Sequence, residues 1–178
     1  MRGYRKDPER TAEVLDKDGW LSTGDVGVVD DDGYVTLVDR KKELIINAAG
    51  KNMSPAYIEA KIKVSSDLIG QAICIGDARS YNVALITLDP DVAPQFASSK
   101  GIEDASLAAL AENPKVVEAV QAGIDRANEQ LSRVEQIKKF KILSSDWEPG
   151  GDELTPTMKL KRKPIGEKYA GEIEALYS

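Results

Sequence analysis

Histidine is absent from this sequence, cysteine occurs once, and aromatic residues make up only 6% of its 178 residues. Without histidine, catalytic triads with an imidazole base and metal sites with imidazole ligands are excluded. The single cysteine, Cys74, cannot form an internal disulfide, which fits a reducing compartment. No apolar stretch approaches the roughly 18 residues that a membrane-spanning helix needs. We therefore expect a cytoplasmic location, with any membrane contact being peripheral.

Acidic residues outnumber basic ones, 30 against 24, which gives the chain a net charge of −6. This balance argues against nucleic acid as the main partner. The one compact basic block lies near the end of the chain, from Lys159 to Lys163. The acidic run Asp30–Asp32 precedes a glycine and lacks further ligands at suitable spacing, so we interpret it as a turn and predict no metal site.

Helix and strand patterns are mixed along the chain without regular βαβ alternation, which favours an α+β fold over a doubly wound sheet. Polar-proline pairs such as Asp7-Pro8 and Asn113-Pro114 mark helix starts. The predicted helices cover 7–15, 54–64, 91–98, 114–131 and 164–176, and the predicted strands cover 26–30, 34–38, 44–46, 68–75, 83–88 and 137–143. Apolar spacing predicts that the longest helix buries Val117, Val120, Ile124, Ala127 and Leu131. Trp20 is expected to be a packed aromatic.

The tripeptide Thr23-Gly24-Asp25 introduces the first candidate site residue. The Asp25 carboxylate can accept hydrogen bonds from both hydroxyls of a ribose, as acidic residues do in dinucleotide sites. Arg40, beyond the predicted hairpin, offers a planar guanidinium suited to phosphate or ribose oxygens. This pair predicts a nucleotide held at two points. The alternative is a turn in which Asp25 caps its own backbone, followed by a solvated charge run at Asp39–Lys42.

Two stretches carry a family resemblance: DGWLSTGD, DDGY and DRKKELI within residues 18–45, and ELTPTMKLKR at residues 153–162. Together they resemble the adenylate-forming superfamily of acyl-CoA synthetases, luciferases and peptide-synthetase adenylation domains. The second stretch is similar to the form found in long-chain fatty acyl-CoA synthetases. The resemblance implies an enzyme that activates a fatty acid with ATP to acyl-AMP and then transfers the acyl group to coenzyme A. Mg²⁺ would arrive with ATP.

The resemblance also implies roles for individual residues. Asp25 and Arg40 would hold the nucleotide, Lys42 would be the hinge, and Lys159 would be the catalytic lysine of adenylation. A compact ammonium offsets the repulsion between the attacking carboxylate and the α-phosphate. Lys161, Arg162 and Lys163 are interpreted as a basic surface patch.

The loop Ala49-Gly50-Lys51 is implied to contact coenzyme A, with Gly50 and Lys51 as the binding residues. A missing side chain leaves room for the pantetheine arm. Many relatives have two glycines here, whereas this chain has Ala49 before Gly50. A strand-to-helix turn that needs Gly50 for its backbone angle is an equally supported alternative.

Residues 1–38 are too few to build a core of their own. The resemblance implies that they are the C-terminal tail of a large N-terminal adenylation domain, that 39–42 form the hinge, and that 43–178 form a small mobile lid domain. The expected lid is α+β, with a short mixed or antiparallel sheet flanked by helices and preceded by the β-hairpin tail. The missing N-terminal domain is its implied partner, and the fragment alone is expected to be inactive.

Two other functions stay open at this point. One is an adenylation domain that loads a carrier protein or a reductase. The other is a stand-alone binding or regulatory module without chemistry.

Overall fold

The computed structural model describes all residues from 1 to 178. They form two compact units, Met1–Leu44 and Ile45–Ser178. The first unit contains α1 (Pro8–Val14), β1 (Asp25–Val29) and β2 (Val35–Arg40). The second unit contains β3 (Ile45–Ile46), β4 (Asn52–Met53), α2 (Pro55–Ser65), β5 (Ile69–Ile75), β6 (Asn82–Leu88), α3 (Val92–Ser99), α4 (Leu107–Glu112), α5 (Pro114–Glu129), β7 (Ile137–Ile142), α6 (Arg162–Lys168) and α7 (Ala170–Tyr177).

Local polar contacts define the elements of the first unit. Asp7 caps α1 by accepting a 3.0 Å hydrogen bond from the Arg10 amide, as predicted for an Asp-Pro helix start. Asp30 closes the hairpin turn by accepting a 2.8 Å bond from the Tyr34 amide, and Gly33 supplies the positive φ of +86°. No residue of this unit is buried, so it has no hydrophobic core.

The second unit is organised around a three-stranded sheet in the order β5-β6-β7. The β5–β6 pair is antiparallel and the β6–β7 pair is parallel. The long connection that parallel strands require is filled by α3, α4 and α5. The predicted mixed sheet flanked by helices is therefore confirmed.

Both faces of this sheet are covered, and alternate residues of β5 and β6 enter different cores. Ala84 and Ile86 join the core formed with α2 and α5, whereas Leu85 joins Trp147, Leu154 and Ile165 on the other face. All seven residues of β6 are buried, which explains its continuous apolar run.

Several local predictions need correction. Trp20 is 77% exposed rather than packed, and α5 buries Val116 in place of Val117, which is 37% exposed. Helix α6 begins at Arg162, two residues before the predicted start at Pro164. The single predicted helix is interrupted at Tyr169, and α7 follows. Strand β4 and helix α4 were not predicted, because each is short.

None of the helices is both long enough and apolar enough to span a lipid bilayer.

Candidate functional site

The hairpin of the first unit brings the predicted acid and guanidinium together. Asp25 begins β1 and Arg40 ends β2, and their Cα atoms are direct partners in the register. Arg40 Nε lies 2.8 Å from Asp25 Oδ1, and Arg40 Nη1 donates to the Thr23 carbonyl at 3.3 Å. The Arg40 side chain is 62% exposed and that of Asp25 is 25% exposed, so both are accessible from solvent.

The Thr-Gly-Asp turn is held by its backbone. Gly24 has φ of +79°, and its carbonyl accepts a 2.8 Å hydrogen bond from the Lys41 amide. The Asp25 amide donates to the Thr23 hydroxyl at 3.2 Å. The Asp25 carboxylate thus pairs across the hairpin with Arg40, which disfavours the alternative in which it caps its own turn.

Lys42 is exposed and lies in the turn that follows β2. The amides of Glu43 and Leu44 both donate to the Arg40 carbonyl, at 2.9 and 3.2 Å. The division between the two compact units falls directly after Leu44. Lys42 therefore lies two residues before that division.

The loop around Gly50 connects β3 to β4 in a small hairpin. Asn47 Oδ1 accepts from the amides of Ala49 and Lys51 at 3.0 and 2.9 Å, and the Ala48 amide donates to the Arg79 carbonyl at 2.9 Å. Gly50 has φ of +76°, and a Cβ placed on it would meet no atom within 4 Å. The positive φ thus favours glycine at this position, while the surroundings leave room for a Cβ.

Lys159 lies near the tip of a second small hairpin. The strands of this hairpin meet at Leu154 and Leu160, and the Thr155 amide donates to the Lys159 carbonyl at 2.8 Å. The Thr155 hydroxyl accepts from the Lys159 amide at 3.0 Å. Met158 adopts φ of +63°, so the tip is tightly turned, and Lys159 is exposed.

The two basic residues after Lys159 do not form the predicted surface patch. Arg162 makes a bidentate contact with Glu59 of α2, at 2.6 and 2.8 Å, and Glu59 is only 6% exposed. Lys161 Nζ donates to the Gly151 carbonyl at 2.7 Å. Lys163 alone matches the prediction, since its side chain is 87% exposed.

A second acid lies at the start of the Lys159 hairpin. Glu153 is 7% exposed and accepts hydrogen bonds from Lys168 Nζ at 2.6 Å and the Tyr169 hydroxyl at 3.0 Å. Burial acts to raise the pKa of Glu153, but the hydrogen bonds from Lys168 and Tyr169 outweigh it and hold this pKa below its ordinary value. The carboxylate is therefore ionised at neutral pH.

Cys74 is a core residue of β5 and is 4% exposed. Its amide donates to Glu59 Oε1 at 2.8 Å, and burial raises the pKa of its thiol well above the ordinary value. A buried thiol of this kind is not a nucleophile. The structure contains no group of three or more acidic or thiol side chains arranged to hold a metal ion.

Comparison with known proteins assigns the family. The family described as "AMP-binding enzyme C-terminal domain" matches residues 42–178. The chain belongs to this family. The predicted resemblance to adenylate-forming enzymes is thereby confirmed.

Relatives of this AMP-binding C-terminal domain extend the match to the whole chain. The protein named fatty-acid–CoA ligase fadD11 of Mycobacterium tuberculosis is 57% identical over 178 residues, which are 100% of this chain and 31% of its own length. Long-chain-fatty-acid–CoA ligase FadD15 of the same species is 42% identical over 177 residues, 99% of this chain and 29% of its own. Human long-chain-fatty-acid–CoA ligase ACSBG1 is 38% identical over 192 residues, which cover 98% of this chain and 26% of the human protein. The chain thus spans less than a third of these relatives.

Solved structures confirm the α+β class. The adenylation domain of a carboxylate reductase from Mycobacterium chelonae superposes with a TM-score of 0.78 at 26% identity, covering 98% of this chain and 26% of that one. A second match is the adenylation domain of a carboxylic acid reductase from Segniliparus rugosus, solved in complex with AMP and a co-purified carboxylic acid. It superposes with a TM-score of 0.75 at 27% identity, covering 99% of this chain and 26% of that one.

Sequence reasoning missed the acids that hold the Lys159 hairpin. Glu59 directly follows Ile58 in α2, and both Ile58 and Ile62 are fully buried. A buried acidic residue beside the apolar stripe of a helix needs a cationic partner. This signal could have pointed to Glu59. Its partner Arg162 could not be identified, because the two are 103 positions apart.

Proposed function

We propose that this chain is the C-terminal part of a long-chain fatty acid–CoA ligase. The observation that carries the proposal is the 42% identity to FadD15 across 99% of this chain. It is supported by the Asp25–Arg40 pair and by an exposed Lys159 on a braced hairpin. The substrates would be ATP, a fatty acid and coenzyme A.

In the first half-reaction, a fatty acid carboxylate oxygen attacks the α-phosphorus of ATP. The bond from that phosphorus to the bridging oxygen breaks, and pyrophosphate leaves. Asp25 would accept hydrogen bonds from the ribose hydroxyls, and Arg40 would contact ribose or phosphate oxygens. Lys159 would offset the crowding of negative oxygens as the transition state forms. Mg²⁺ would arrive on the ATP phosphates.

In the second half-reaction, the sulfur of coenzyme A attacks the acyl carbonyl carbon of acyl-AMP. AMP leaves, and the thiol proton passes to solvent. We propose that residues 39–42, with Lys42 at the centre, act as the hinge between a domain ending near residue 38 and a lid beginning near residue 43. Rotation would withdraw Lys159 and present Gly50 and Lys51 to the pantetheine arm. The open space above Gly50 supports this assignment.

A second candidate is an adenylation domain that delivers its acyl group to a carrier domain and a reductase. The fold match to carboxylic acid reductases, with TM-scores of 0.78 and 0.75, favours it. Those matches are only 26% and 27% identical, compared with 42% for FadD15. The CoA ligase is therefore the preferred proposal. A stand-alone regulatory module is disfavoured, because Asp25, Arg40 and Lys159 are all present.

We propose a cytoplasmic enzyme whose contact with membranes, where fatty acids partition, is peripheral. A vesicle-flotation assay of the full-length protein, with and without high salt, tests the proposed peripheral contact with membranes.

The main test uses the full-length protein that carries this chain and measures the two half-reactions separately. Lys159→Ala should lower acyl-AMP formation by roughly 10²–10³-fold, the usual effect of removing one charge-stabilising contact. Thiolation of supplied acyl-AMP by coenzyme A should persist. Lys163→Ala is the matched control, because this neighbouring lysine is exposed. Equal loss of both half-reactions in Lys159→Ala would contradict the proposed division of labour.

The same assay separates the two candidate functions. A CoA ligase converts supplied acyl-AMP to acyl-CoA with free coenzyme A. A carrier-loading domain transfers the acyl group only to a phosphopantetheinylated carrier protein, and this result would favour the second candidate. The isolated chain should form no acyl-CoA, and measurable activity would refute that expectation.

A further inference from the structure

The hairpin that carries Lys159 combines an exposed tip with a fixed base. At the base, the Lys161 amide donates to the Glu153 carbonyl at 2.7 Å, and Leu154 is fully buried. At the tip, Met158 is 49% exposed, and the polar contacts are short-range ones made by Thr155. The position of Lys159 therefore depends on the contacts that hold the base of the hairpin in place.

The departing arm of the hairpin is fixed by Arg162. Its guanidinium makes two short contacts with Glu59, at 2.6 and 2.8 Å. Glu59 also accepts the Cys74 amide of β5 at 2.8 Å. One buried carboxylate thus connects the hairpin to α2 and to the central sheet. A bidentate, charge-assisted pair has a narrow range of geometries, so it holds the arm in a single orientation.

The arriving arm has its own anchors. Glu153 accepts from Lys168 and Tyr169, and the Tyr169 hydroxyl in turn accepts from Trp147 Nε1 at 3.2 Å. With both arms held, the hairpin is prevented from pivoting as a whole. Arg162 follows Lys159 by three residues, which corresponds to about 10 Å of extended chain. A shift of Arg162 would therefore be transmitted directly to Lys159.

We propose that Arg162 and Glu59 are positioning residues for Lys159 in acyl-adenylate formation. This inference rests on the proposed function. Neither residue needs to contact the substrate. Their role is to fix the base from which the Lys159 ammonium reaches the α-phosphate.

The chemical nature of the pair supports positioning rather than stability alone. Well-packed apolar side chains often replace a buried ion pair without loss of stability. An apolar pair, however, imposes no hydrogen-bond direction on the chain. A bidentate contact between a guanidinium and a carboxylate does impose a direction on the chain. This property suits a pair that must place a catalytic group accurately.

The test measures both half-reactions in the full-length protein with Arg162→Lys and Glu59→Gln. Arg162→Lys keeps the charge but loses the fork, and Glu59→Gln keeps an oxygen that can accept the Cys74 amide. Each variant should lower kcat for acyl-AMP formation about tenfold to a hundredfold, the range expected from a displaced catalytic group. Thiolation of supplied acyl-AMP should change less than about twofold, because a contact that acts in one step alone leaves the other unaffected.

The control is Ile124→Ala, a core substitution on α5 that lowers stability without touching the hairpin. It should leave the ratio of the two half-reactions unchanged. If either single variant folds poorly, the double variant Glu59→Gln/Arg162→Gln, which removes both charges of the pair, should restore Tm but not adenylation.

Three results separate the possible failures. A proportional loss of both half-reactions would make the pair merely structural and overturn the inference. Full adenylation by both single variants, with Lys159→Ala inactive, would also overturn it. If the unmodified protein formed no acyl-AMP at all, the proposed function itself would fail.

Discussion

Residues Met1–Leu44 and Ile45–Ser178 form separate compact units, and they place their apolar side chains in opposite ways. Every buried hydrophobic side chain lies at Ile45 or beyond. In the first unit, by contrast, Trp20, Tyr34 and Leu37 are each at least 69% exposed. One unit is thus built around a core, whereas the other holds its shape by turns and strand pairing.

The difference teaches that strand pairing alone can bring an acid and a guanidinium together, whereas stability requires a hydrophobic core. The hairpin register alone brings Asp25 opposite Arg40. An isolated two-stranded hairpin is marginally stable in water, and in this one Val28, Tyr34 and Leu37 are each at least 58% exposed. This contrast supports the proposal that the first unit is the tail of a larger domain.

The largest expected effect comes from separating the units. Residues 45–178 should fold alone, since they contain both hydrophobic clusters, with a free energy of unfolding in the usual range of about 5–15 kcal/mol. Residues 1–44 should show no cooperative transition, because they bury no side chain. Circular dichroism and urea titration of the two pieces measure both. A sharp unfolding transition in the 1–44 piece would break the comparison.

A smaller effect is expected from matched truncations on the two sides of the division. Ile86→Ala in β6, where the side chain is fully buried, should cost about 2–5 kcal/mol of unfolding free energy. Val28→Ala in β1, at 58% exposure, should stay within about 0.5 kcal/mol.

Urea unfolding followed by far-UV circular dichroism measures both truncations, because this signal comes from the secondary structure of both units. Comparable losses from the two variants would mean that the hairpin has a core of its own.

The smallest expected effect is a pH dependence at the buried acid Glu153. Its pKa in the folded protein lies below the ordinary value of a glutamate, so its contribution to stability is complete above that ordinary pKa and is lost as pH falls through the lowered folded pKa. Glu153→Gln should therefore be less stable than the unmodified protein at neutral pH, and the gap should close in acid. Thermal unfolding across an acid pH series measures this gap.

Asp25→Asn in the exposed hairpin is the matched control for the pH series. An exposed ion pair contributes only about 0–1 kcal/mol, so this variant should change little at any pH. If the difference in thermal stability between Glu153→Gln and the unmodified protein stayed constant across the pH series, Glu153 would act through packing rather than charge.

The sequence predicted most elements because their signals are local. Asp7, Ser54 and Asn113 each cap the helix that they were expected to start, since capping depends on residues within one turn. The sheet strands were predicted from apolar runs, and Gly33 marked the hairpin turn. The short β4 and α4 escaped because two and six residues carry too little periodicity to detect.

The errors concern side-chain surroundings. Trp20 was expected to be packed, and its exposure follows from the absence of a core in the first unit. On α5, Val116 and Val117 fit an apolar stripe almost equally well, and only the tertiary packing decides that Val116 joins the core.

The sequence by itself determined the elements, the hairpin pair of Asp25 and Arg40, and the motif around Lys159, because each depends on residues close together in the chain. Only the tertiary structure decided that Arg162 faces the buried Glu59 rather than solvent. Such a choice depends on the free energy of burying two charges from distant segments, and no local pattern records which segments will meet.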